Sequence, residues 1–225
     1  LAVDMARAWL ALNPGQSLAD LLAELKKSDA AALALFDATE LDEQAHRYRL
    51  SVASTLALHM DALKCTPAEG LLTFAAYAAP DRIPASLLVA AAGVEDADAR
   101  DAFRELAAKC IIHHQPGADG GLISLHRLTQ MVARARLARA EPTGPARVLA
   151  AWFESIHALH RSHDHDEIRP KRTAALPHVT ALADRALADA AVADTHWDAA
   201  VCHRRNADHY GLIGNLSAAE NSIDK

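Results

Sequence analysis

Apolar residues recur along most of the chain at three- and four-residue intervals, the spacing of one face of a helix, and alternate with polar ones over a single short stretch. Leu1, Met5, Ala8, Trp9 and Leu12 form such a face over residues 1–12, which Asn13-Pro14-Gly15 closes. Ser17 and Asp20 make a capping-box pair. Leu18, Leu21, Leu22 and Leu25 then line a second helix reaching about Phe36, and Asp37 to Arg49 reads as a polar link. A third helix is expected over 51–63. Thr66-Pro67-Ala68-Glu69 opens a fourth with an N-cap threonine, a first-turn proline and a reciprocal glutamate. Leu71, Leu72, Ala75 and Ala78 face inward along it until Ala79-Pro80-Asp81. A short helix after Ile83-Pro84 ends near Gly93, and another covers Asp96 to Lys109.

The alternating stretch is Leu122 to His126, where Ile123 and Leu125 take one face and Leu122, Ser124 and His126 the other. Gly120-Gly121 supplies a turn before it, and Ile111–Gln115 can pair with it as a hairpin across Pro116 to Gly121. From Leu128 the period changes to that of a helix, with Leu128, Met131, Val132 and Ala135 on one face and Arg134, Arg136 and Arg139 towards its far end, where cations suit the helix dipole. After Glu141-Pro142-Thr143-Gly144-Pro145, helical runs are expected at 146–162, 172–190 and 195–212. The fold class is therefore mainly α. Helices followed by one short β-hairpin suggest a winged helix over 65–141, preceded by a helical domain over 1–64 and followed by antiparallel helix pairs over 146–225.

Composition agrees: 51% of residues are hydrophobic but only 4% aromatic, and alanine leads the apolar set, which favours close-packed helices. A net charge of -6 opposes binding to nucleic acid or an anionic membrane over the whole surface. Cys65, Cys110 and Cys202 show no C-x-x-C spacing, so neither a disulfide framework nor a cysteine zinc site is expected. No apolar run approaches the roughly 20 residues that span a bilayer, and the first residues lack the order of a signal peptide. A cytoplasmic protein without membrane partners is the expectation.

The candidate chemistry sits at the strand-to-helix junction. A histidine at a helix N-terminus lies beside unpaired backbone N–H groups and the positive end of the dipole, a place suited to a phosphate oxygen. His126 thus has two readings: a phosphate-contacting residue, or a cap that hydrogen-bonds to backbone. His157, His160, His163 and His165, interleaved with Asp164 and Asp166, make the densest group of potential metal ligands. They are read as the solvated end of a helix, with no metal assigned, and His113-His114 as an exposed hairpin edge. No Ser/His/Asp or Cys/His arrangement stands out, so no catalytic residue is assigned.

Three segments carry a family resemblance: Ala79-Pro80-Asp81-x-Ile83-Pro84, Ser124-Leu125-His126-Arg127-Leu128-Thr129-Gln130, and Leu176-Pro177-His178-Val179. In this order they resemble NB-ARC proteins of the STAND class of signalling NTPases that carry tetratricopeptide repeats. The resemblance implies a helical domain that follows the nucleotide-binding core, then a winged helix, then repeats. It places His126 at the histidine of the family's Met-His-Asp motif, which contacts the ADP phosphates; Leu125 stands for the methionine and Arg127, with reversed charge, for the aspartate. Leu1-Ala2-Val3-Asp4-Met5-Ala6 is similar to the continuation of the family's Gly-Leu-Pro-Leu-Ala segment, so truncation just before Leu1 is expected. Ala207, Tyr210, Ala219 and Ile223, with Gly214 between, match positions of a tetratricopeptide repeat.

The family's Gly-x-x-x-x-Gly-Lys-[Ser/Thr] phosphate loop is absent from these 225 residues, so ADP or ATP is expected to be held by the full-length parent and not tightly by this chain. The implied partners are the upstream nucleotide-binding core, a protein or peptide ligand on the repeats, and further copies of the protein on activation. Two other readings remain open. Helix 127–140 with Arg127, Arg134, Arg136 and Arg139 can be placed in a DNA major groove, and the helices can form a nucleotide-independent peptide-binding scaffold.

Overall fold

The computed structural model describes residues 2–21, 23, 54–161, 165–188, 198, 200, 201 and 204. The expected link over 37–49, the expected helix over 195–212 and the tetratricopeptide positions Ala207 to Ile223 lie outside these or nearly so. The chain is mainly helical with one small antiparallel sheet. Helix α1 is Ala2–Leu12, with Met5, Ala8 and Trp9 buried but Leu12 exposed. Helix α2 begins at 18 behind a formed capping box: Asp20 Oδ2 accepts from the Ser17 N–H at 2.7 Å, and Ser17 Oγ from the Asp20 N–H at 3.3 Å. Helix α3 is described over 54–61.

Helix α4, Pro67–Ala75, starts where the proline predicts, with a different cap. The Thr66 hydroxyl donates back to Leu63 O at 2.7 Å, and Glu69 reaches one residue further than expected, accepting from the Cys65 N–H at 2.8 Å. Strand β1, Ile83–Pro84, is a third strand that the period-two pattern is too short to announce. Helix α5, Ala85–Ala92, ends on Gly93, whose φ of 63° lets the Val94 N–H reach Val89 O. Helix α6 is Asp96–Ala108, and β2, Ile112–Gln115, pairs with β3, Leu122–Leu125. The sheet order is β1-β3-β2, with Ile83 opposite Ile123 and Ile112 opposite Leu125.

The hairpin link is tightest at Gly121. Its φ is +84°, and a Cβ there would lie 2.2 Å from Gln115 O, so no side chain fits without moving the backbone. Helix α7 is Arg127–Ala140, α8 is Gly144–Arg161 and α9 is His165–Ala188. The last begins seven residues before the expected 172 and runs through Pro170 and Pro177. Two prolines inside the helix do not stop it, because Leu176, Val179, Leu182, Ala183 and Ala186 bury a continuous stripe. One buried cluster runs from Met5 to Ala186, continuous across the expected boundaries at 64/65 and 141/146. Among the described residues no helix is long and apolar enough to cross a membrane.

Candidate functional site

Helix α4 ends in Phe74-Ala75-Ala76-Tyr77-Ala78-Ala79-Pro80, a sequence with neither a C-terminal glycine nor a short polar side chain to satisfy its last carbonyls. Other helices do so instead. Trp152 Nε1 of α8 donates to Phe74 O at 3.0 Å, and Gln130 Nε2 of α7 donates to Ala75 O at 3.1 Å and Ala78 O at 2.9 Å. Arg134 of α7 donates to Ala76 O at 2.5 Å, and Arg185 of α9 to Tyr77 O at 2.7 Å. Five consecutive carbonyls are thus held by side chains from three helices. Burial pushes both guanidinium groups below the usual arginine range, and Arg185, beside Arg134, is lowered to about 10. Both remain charged at neutral pH, at the negative end of the α4 dipole.

This anchoring turns α7 away from its expected face. Thr129, Gln130, Val132 and Ala133 are buried, whereas Met131 is 38% exposed and Leu128 and Ala135 are half-buried. Gln130 faces inward because the end of α4 supplies acceptors for its amide, a demand that apolar periodicity cannot register, whereas the buried Thr129 hydroxyl has no hydrogen-bond partner among the described residues. Arg134 and Arg136, expected to serve the dipole of their own helix, serve other elements: Arg136 pairs with Asp61 at 2.5 Å.

The chain then leaves α4 through Ala79–Arg82, which ties the sheet to α9. Pro80 O accepts from the Leu125 N–H at 2.8 Å, the Arg82 N–H donates to Ser124 Oγ at 3.1 Å, and Arg82 O accepts from His178 Nε2 at 3.2 Å. Arg82 itself sits at a φ of 58°, unusual for a residue with a side chain. The exposed residues Asp81, Arg82, His126 and Arg127 thereby share one end of the sheet. All three segments that carry the family resemblance meet around this loop.

His126 is the N-cap of α7, with extended backbone (φ -63°, ψ 138°) and its Nδ1 accepting from the Leu128 N–H at 3.1 Å. Neutral imidazole carries one proton, so an accepting Nδ1 leaves that proton on Nε2. The exposed ring thus caps the helix with one nitrogen and retains a donor on the other. The two sequence readings of His126 are compatible in one tautomer.

The other histidines divide by environment. His113 is exposed on the edge strand β2, but His114 is half-buried, its ring centroid 5.3 Å from that of Phe103 and its Nε2 2.9 Å from Gly120 O. His157 Nε2 lies 3.2 Å from Asp198, and the side chains of His163 and His165 are outside the described residues. No group of three metal-ligating side chains converges among the described residues. The sequence pattern misses His59 and gives His178 no role; both are buried, His59 Nε2 lying 3.1 Å from Met5 O. Burial pushes both imidazoles below the ordinary histidine range, against the pull of the Met5 carbonyl on His59 and of the Arg82 and Ala79 carbonyls on His178.

A histidine whose folded pKa is lowered takes up a proton more readily when unfolded, so stability rises with pH through that window. The contribution of His59 and His178 is complete above about pH 6.5 and is lost as the pH falls below it. Asp20, Asp61 and Glu141, held below the usual carboxylate range by hydrogen bonds from Ser17, Arg136 and Lys64, and Arg147, act only at more acidic pH. The melting temperature is therefore expected to drop between pH 7.5 and 5. A His178→Gln variant, which keeps a side-chain N–H for Arg82 O, is expected to show a shallower drop by thermal circular dichroism.

Comparison of the chain with protein-family models, curated proteins and solved structures finds no match.

Proposed function

We propose that this chain is the regulatory and protein-interaction part of a STAND-type nucleotide switch, in which His126 reads a phosphate of ADP and the helices from Gly144 onward engage a protein or peptide ligand. The observation that carries this reading is the His126 cap geometry: an exposed N-cap ring whose Nδ1 accepts from the Leu128 N–H, which leaves Nε2 to donate to an anion at the positive end of α7. Nucleotide itself belongs to an upstream core, and no catalytic residue is assigned here. The element order α4, β1, α5, α6, β2, β3 with β3 central supports a winged-helix arrangement over 65–141, and α8 packed on α9 supports a helix-pair architecture beyond it.

DNA binding draws less support. In a winged helix of this order α6 precedes the hairpin and would face the groove, yet it carries Asp96, Asp98, Asp101 and Glu105 against Arg100 and Arg104. Of the arginines on α7, Arg134 and Arg136 are engaged within the fold.

The test separates capping from phosphate reading. Asparagine caps a helix as well as any residue but cannot reach as far as Nε2. In the full-length parent, His126→Asn is expected to keep the thermal stability of the wild type while ADP affinity falls about tenfold, or about 1.4 kcal/mol, by calorimetry. Unchanged affinity in a stable variant would reduce His126 to a cap.

A further inference from the structure

A concave site lies where α3, α4 and α7 meet, at the end of α7 away from His126. Its volume is about 380 Å³, within the range of small-ligand pockets. Met60, Leu63, Leu72 and Leu137 give it an apolar interior, and Lys64, Arg136, Arg139 and Glu69 surround them. The charges are unevenly committed. Asp61 takes both Arg136, at 2.5 Å, and Lys64, at 3.1 Å, while Glu69 accepts from the Cys65 N–H at 2.8 Å. Arg139, exposed in the last turn of α7, has no hydrogen bond or ion pair among the described residues.

We propose that this cavity binds a small anionic amphiphile, with its apolar body against Met60, Leu63, Leu72 and Leu137 and its carboxylate on Arg139. Charge complementarity selects the occupant. An apolar cavity alone accepts any hydrophobic molecule, but three cations against the carboxylates of Glu69 and Asp61, with Arg139 in no ion pair among the described residues, leave a positive excess that favours an acid over an amine. Guanidinium offers a planar pair of N–H donors that matches a carboxylate, and the apolar surroundings strengthen that contact relative to open water. Arg139 lies about 20 Å along α7 from His126, at 1.5 Å per residue, so occupancy of the cavity can be tested without nucleotide.

The experiment is a titration of the chain with decanoate below its micelle concentration, followed by displacement of anilinonaphthalene sulfonate, with decanol and decyltrimethylammonium as controls. Saturable binding of decanoate is expected, at least tenfold tighter than that of decanol, with no competition from the ammonium compound. Arg139→Gln, a neutral change at an exposed position, is expected to weaken decanoate at least tenfold with little change in the melting temperature. Ala140→Trp, which places an indole at the cavity mouth, is expected to abolish binding of decanoate and decanol alike. Equal affinity for acid and alcohol, binding indifferent to both substitutions, or no saturable binding would each overturn the proposal.

Discussion

Trp152→Ala is expected to destabilise the protein by about 3–5 kcal/mol, the largest effect of any single truncation in the described fold. The side chain is fully buried, so its removal leaves a cavity the size of an indole at the point where α8 meets α4. It also withdraws the indole N–H from Phe74 O, which keeps only the Tyr77 N–H at 3.1 Å, and the loss of such a hydrogen bond adds about 0.5–1.5 kcal/mol. Trp152→Phe divides the two contributions, because it keeps most of the ring volume and loses only the N–H. Urea denaturation of both variants measures the division, and a loss below 1 kcal/mol for the alanine variant would remove Trp152 from the centre of the fold. The shape of the transition matters too. Because the buried cluster is continuous from Met5 to Ala186, wild type and variant are expected to unfold in one step. Two separated transitions would mean that the helices from Gly144 onward fold independently of those before them.

That continuity is what the sequence conveys least. Residues 141–145 are rich in proline and glycine and read as a domain boundary, and the chain does turn there, between α7 and α8. Yet Trp152, a few residues on, reaches back to a carbonyl 78 positions earlier. Local composition reports where a chain changes direction, not which surfaces it then covers. The elements themselves were legible where their signals are local: the Ser17/Asp20 box, Pro67 at a helix start, Gly93 at a helix end, and the alternation over Leu122–Leu125 that buries Ile123 and Leu125. β1 was not, because two residues give no period and its pairing with β3 is fixed by Ile83 meeting Ile123 across the sheet.

The candidate site was legible to the same extent. The change from a period of two to a helical one located His126 at the N-cap of α7, and the structure adds which nitrogen does the capping. The inward face of α7 was misread because the spacing of Leu128, Met131, Val132 and Ala135 counts apolar residues only. Gln130 and Arg134, spaced i+4 and i+8 from His126, are drawn inward by acceptors on a helix end more than fifty residues earlier. A signal for them does exist in the alanine-rich end of α4, which cannot cap itself and so requires donors from elsewhere.

Gln130 provides the sharpest test of that requirement. It is 2% exposed, and its single amide nitrogen donates to two carbonyls, Ala75 O and Ala78 O. Gln130→Leu keeps the approximate volume but leaves both acceptors unsatisfied, with an expected loss of about 2–4 kcal/mol if the two orphaned groups add. Gln130→Glu is expected to behave differently with pH. An ionised carboxylate would face two carbonyl oxygens without a proton to offer, in a buried place where the neighbouring guanidinium groups of Arg134 and Arg185 are already committed to Ala76 O and Tyr77 O. Both desolvation and the need to donate favour the protonated form, so the folded-state pKa of this glutamate is raised above its unfolded value. A raised carboxyl pKa means that the folded state binds the extra proton, and stability is lost as the pH rises. The glutamate variant should therefore lie closest to wild type near pH 4 and fall below the leucine variant at pH 8, where an unpaired buried charge costs more than two orphaned carbonyls. Chemical denaturation at the two pH values, corrected for the wild-type dependence, measures the difference. A pH-independent gap between the glutamate and leucine variants would mean that the end of α4 is open to water and that its carbonyls do not depend on α7.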